Sequence, residues 1–130
     1  MNSASFANPA MLLGRALLAL IFILSGWGKI GGYAETAAQM TNAGIPGALL
    51  PLVIILEFVA GVLLVIGWQT RLAALALAGF TLLATYFFHF DLGDRGQIVH
   101  ILKNLAIVGG LLALAGSGPG AWAVEGRRST

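Results

Sequence analysis

Four side chains carry chemistry where charge is expensive. Glu57, Lys103 and Asn104 lie inside long apolar runs, and Lys29 closes another. An ionised group near a bilayer centre costs about 2.5–3.5 kcal/mol on insertion scales, so such groups turn inward and find partners. At 1.5 Å per helical residue, Glu57 lies roughly 13 Å inside its run and Lys103 and Asn104 about 8 Å inside theirs. Opposite charges at similar depth predict a cluster of Glu57 with Lys103, Lys29 and Asn104. Lys103 is the first-choice partner of Glu57, and Lys29 is the rival. A carboxylate beside amines in a partly dry site either locks helices together or exchanges protons with a bound substrate or quinone. Both readings stand at the level of sequence.

His89 and His100 border the mouth of the same region, with Asp91 and Asp94 in the loop between them. His89 joins the candidate ligand or proton site. No third metal ligand has a recognisable spacing, so no metal is expected and haem is disfavoured. Arg15, Arg71, Trp68 and Trp122 fall at the ends of apolar runs, which predicts membrane anchors: snorkelling cations and interfacial aromatics. The chain has no Walker loop, no glycine-rich dinucleotide turn, no HExxH and no Ser–His–Asp set.

The elements that must position these groups are apolar throughout. The chain has 130 residues, of which 58% are hydrophobic and 9% charged; soluble domains carry about 25% charge. Mean hydropathy is +0.92. Twelve scattered charges exclude a soluble enzyme, a disordered chain and a nucleic-acid binder. Zero cysteines exclude disulfides, thiolate metal sites and dithiol chemistry. A spanning helix needs about 20 apolar residues. Four runs qualify, at about 11–29, 48–68, 72–90 and 98–116, and none alternates as a barrel strand would. The predicted fold is an all-α four-helix transmembrane bundle forming one domain over 1–130. The first run is read as a retained span, since no basic segment precedes it. A short interfacial helix over Ala34–Ala43 is predicted between the first two spans. Gly67-Trp68-Gln69-Thr70-Arg71 is a tight turn that makes the second and third spans antiparallel neighbours.

Lys and Arg near span ends give the orientation. Arg15, Arg71, Arg127 and Arg128 fall on one side, against Lys29, Arg95 and Lys103 on the other, which favours both termini in the cytoplasm. Ile55-Leu56-Glu57 aligns with Ile101-Leu102-Lys103, a faint internal echo between parallel spans. Glycines within the spans, including Gly26, Gly28 and Gly61, are expected to permit close packing.

Several of these segments together resemble the DoxX family. Arg15 with Ile21-Phe22-Ile23-Leu24-Ser25-Gly26-Trp27-Gly28-Lys29-Ile30 is similar to its first-helix signature. Gly44-Ile45-Pro46, Leu56-Glu57-Phe58 with Gly61, and Thr70-Arg71 resemble its second block. Phe87-Phe88-His89, Lys103-Asn104-Leu105, Gly109-Gly110 and Gly118-Pro119-Gly120 resemble its end. The similarity runs from about Leu12 to Ala121. It implies a four-helix bundle in the bacterial cytoplasmic (inner) membrane, and little about activity. The first functional expectation is a non-enzymatic scaffold or membrane-complex subunit in contact with lipid, with no resident cofactor. Alternatives are a quinone-linked or oxidative-stress accessory that meets a partner oxidoreductase, and a small transporter working as a homo-oligomer.

Overall fold

The computed structural model describes residues 3–88 and 95–124. His89, Asp91 and Asp94 lie outside the described residues. Among those described, the helices are α1 (Ser3–Gly31), α2 (Tyr33–Asn42), α3 (Leu50–Ile66), α4 (Thr70–Phe88) and α5 (Arg95–Ser117). A 3-10 turn, Gly47–Leu49, leads into α3. Helices α1, α4 and α5, and α3 together with the 3-10 turn before it (Gly47–Ile66), are each long and apolar enough to cross a membrane. The short α2 stands where the interfacial helix was expected. The first helix starts earlier than its apolar run. Pro9 lies inside the helix at its seventh residue and removes one intrahelical donor there, and the polar lead-in before it is nonetheless helical.

Two antiparallel pairs build the bundle. α1 packs on α3, α4 packs on α5, and a lesser contact between α3 and α4 joins them. Parallel α3 and α5 lie across the diagonal, and their backbones do not approach each other closely among the described residues. The pairs meet tightly at the end of the α3–α4 turn. Ala60 and Leu64 pack there with Ala73, Ala74, Leu77, Leu111 and Leu114. Small residues let backbones approach where lipid offers no hydrophobic drive between helices. A Cβ on Gly61 would stand 2.8 Å from Ile23 Cγ1, so α1 and α3 depend on its absence.

Arg15 holds that end together. The residue is 1% exposed. Nη1 donates to the carbonyls of Leu64 at 2.8 Å and Val65 at 2.9 Å, and Nη2 donates to the carbonyl of Trp122. A cation thus satisfies carbonyls that the last turn of α3 leaves without helical partners. The chain after α5 folds back over the same turn, where the Val124 N–H donates to Ile66 O at 3.0 Å. Gly67 makes this possible. Its φ of +76° ends α3 in the left-handed region, the Trp68 N–H reaches Leu63 O, and a Cβ would run into Ala123 and Arg15. Arg15 is therefore not the snorkelling anchor expected from its position. The returning tail buries it among carbonyls. Trp68, Arg71 and Trp122 are exposed at this end.

Replacing Arg15 strands three carbonyls. Arg15→Met should cost about 3 kcal/mol, since hydrogen bonds to a charged group contribute about 1.5–3 kcal/mol each. Arg71→Met, at an exposed position, should stay within about 0.5 kcal/mol. Thermal unfolding in mild detergent reads both, and equal losses would refute the clasp.

Candidate functional site

The opposite half of the bundle is open. Between the two helix pairs there lies a cleft of about 750 Å³. Phe22 of α1, Val53 of α3, Phe80 of α4 and Ile107 of α5 give it apolar walls. Beyond the lining residues, toward the α3–α4 turn, Leu18 of α1 stands against Gly110 of α5, where an added Cβ would be 3.4 Å from Leu18 Cδ2. From Ile21 to Lys29 the α1 wall is roughly 12 Å long at 1.5 Å per residue. Thr36, Gln39 and Met40 of α2 line the cleft with Gly44, Ile45 and Pro46, so the short helix roofs it. Met40 is buried there.

Glu57 lies in this cleft and is 2% exposed. Its partner is Lys29. Nζ donates to Glu57 Oε1 at 2.6 Å and to Ser25 Oγ at 2.6 Å. Ser25 stands one turn before Lys29 on the same face of α1. Gly26 allows the approach, because a Cβ there would stand 3.0 Å from the Phe58 ring and 3.6 Å from Glu57 Cβ. Lys29 remains 24% exposed, so the pair joins a buried carboxylate to an amine at the cleft surface.

The expected Glu57–Lys103 pair does not form. Equal depth in parallel helices is not adjacency, and α3 and α5 are diagonal. Lys103 is exposed at the cleft rim, with Nζ 3.5 Å from His100 Nδ1. Asn104 also lines the cleft, bonded away from Glu57: its Nδ2 donates to Thr85 Oγ1 at 2.9 Å. Thr85 and Thr81 each donate to a carbonyl one turn back, Thr81 O and Leu77 O. The cleft thus has a charged wall, Lys29–Glu57–Ser25, facing an amide and amine wall, Asn104 and Lys103. Sequence reasoning missed Ser25, Thr85 and the roof residues Thr36 and Gln39. The four-residue spacings Ser25–Lys29 and Thr81–Thr85 were the available signal. Among the described residues no group of three His, Asp or Glu side chains could hold a metal ion.

The DoxX family model matches residues 10–90 of the chain. Inner membrane protein YqjF of Escherichia coli K12 is 46% identical over 118 residues, which cover 91% of each protein. Inner membrane protein YphA of the same organism is 34% identical over 129 residues, covering 93% of this chain and 92% of the relative. No solved structure matches the chain.

The pairing is testable by mutant cycles. Lys29→Met leaves a buried carboxylate alone, which costs about 3–5 kcal/mol. Glu57→Gln should also destabilise, and the double variant should recover part of the loss. Lys103→Met should change stability by less than about 0.5 kcal/mol and add independently to Glu57→Gln. Coupling between Glu57 and Lys103, with none to Lys29, would refute the geometry.

Proposed function

The chain belongs to the DoxX family, and from that premise we propose that it is a membrane-complex subunit whose cleft holds the head of a lipid-soluble quinone. The observation that carries this reading is the placement of polar groups on facing walls of an otherwise apolar cleft. A quinone ring presents carbonyl oxygens at opposite edges, and both are acceptors. On one wall, Lys29 uses two of its three N–H donors on Glu57 and Ser25 and keeps the third. On the other, Asn104 Nδ2 uses one donor on Thr85, and Lys103 stands at the rim. The volume, about 750 Å³, lies within the range of small-molecule sites. Reduction of a quinone to a quinol takes up two electrons and two protons. The electrons would come from a partner oxidoreductase in the same membrane, and this chain's part is to bind and orient. Glu57 is the group placed to accept or return a proton at the ring edge.

The names of the relatives support an inner-membrane location, and Arg71, Arg127 and Arg128 support cytoplasmic termini. The cleft and α2 then face the periplasm. A reporter fused after Thr130 should read cytoplasmic and one within 91–97 periplasmic; the reverse would overturn the orientation.

Binding is tested by calorimetric titration of the protein in lipid nanodiscs with dimethoxy-methylbenzoquinone. One saturable site is expected. Asn104→Leu should weaken it about fivefold, the value of one hydrogen bond of about 1 kcal/mol. Absence of saturable binding would leave a ligand-free scaffold as the function.

A further inference from the structure

The outer part of the seam between α3 and α4 gives the cleft a second, apolar side. These helices are antiparallel neighbours closed at Gly67-Trp68-Gln69. Counting outward from that turn brings Val53 opposite Leu83 and Leu49 opposite Phe87. All four line the cleft. Leu49, Leu83 and Phe87 are also exposed, Leu83 at 61%, so they form a mouth and not a wall. Nearer the turn the seam is shut, because Ala60 and Leu64 pack with Ala73, Ala74 and Leu77. Most of the polar groups lie elsewhere: Ser25 and Lys29 on α1, with Lys103 and Asn104 on α5; Glu57 of α3 is bonded to Lys29 of α1, and Thr81 of α4 donates to the Leu77 carbonyl of its own helix. The cleft is thus polarised from a polar α1–α5 side to an apolar α3–α4 mouth.

We propose that this seam, framed by Leu49, Val53, Leu83 and Phe87, is a chain port through which the hydrocarbon tail of the head-bound ligand leaves the cleft into the bilayer. The inference rests on the quinone reading and deepens it. The ligand class becomes a chain-bearing amphiphile that enters from lipid, under the α2 roof. A seam lined by aliphatic and aromatic side chains offers a tail the same apolar surroundings as lipid, so the tail neither gains nor loses on binding. The port's role is steric, since a ring substituted with a long chain fits only where the chain has an exit.

The absence of native cysteine permits a clean test. Leu49→Cys/Phe87→Cys is joined across the seam by a short bifunctional thiol reagent with a cleavable disulfide linkage. Decylubiquinone and the chain-free dimethoxy-methylbenzoquinone are then titrated in nanodiscs, with affinities expressed per mole fraction in lipid. In the open protein the two should bind within about threefold of each other, a difference below 1 kcal/mol. Closing the seam should weaken the decyl compound by about tenfold or more and leave the chain-free head within about twofold. Reduction should restore both. Leu83→Trp, which fills the seam without a cross-link, should reproduce the selective loss. Equal affinities for both compounds in the closed and filled proteins would overturn the port while leaving the head site standing. A decyl compound that binds far more weakly than the head in the open protein would overturn it too. No binding of either compound overturns the quinone reading, and the port with it.

Discussion

A carboxylate carried into the middle of an apolar helix must be met by a cation on a helix that touches its own. Glu57 is that carboxylate and Lys29 is that cation, 2.6 Å apart. The bond fixes the register of α1 against α3, since Lys29, Ser25 and Gly26 must all arrive beside Glu57 and Phe58. It also decides what the other polar groups can do. With Glu57 satisfied from α1, Lys103 and Asn104 on α5 face it across open space, and a cleft exists where a collapsed four-residue cluster would have filled the bundle.

The two ends of the molecule divide the work. At one end, Ala60, Ala73 and Ala74 allow close helix approach, and Arg15 ties α1 to the last turn of α3 and to the returning tail. At the other, Phe22, Val53, Phe80 and Ile107 line the space between the pairs, and α2 covers it. A clasped base and an open top place the cleft between helices tied together at one end. A site built on helices that are tied at the base holds its polar groups in fixed positions, which ligand recognition requires.

Much of this was legible in the chain. Long apolar runs and the turn around Gly67 predict four spans and their neighbours, because the bilayer leaves the backbone few alternatives. Glu57 and Lys29 stood out because charge is costly in hydrocarbon. The partner choice did not follow. The similar depths of Glu57 and Lys103 are a one-dimensional fact, and only the lateral order of helices separates a diagonal from a contact. Arg15 shows the same limit. Near a span end it has the position of a snorkelling cation, and its burial depends on residues after α5 folding back to Gly67. Asn104 was read as part of the Glu57 cluster, yet Thr85 on the adjacent helix takes its amide.

The central claim is that Glu57 is held by Lys29 at the cleft. Lys29 and Lys103 are the only lysines in the chain, and the glutamates are Glu35, Glu57 and Glu125. Magic-angle-spinning NMR of the protein in lipid bilayers, labelled with ¹⁵N at lysine side chains and ¹³C at glutamate carboxyls, can therefore read the pair directly. The structure predicts one strong nitrogen–carboxyl dipolar coupling at contact range, lost in Lys29→Met and retained in Lys103→Met. A coupling that survives Lys29→Met and disappears in Lys103→Met would contradict it.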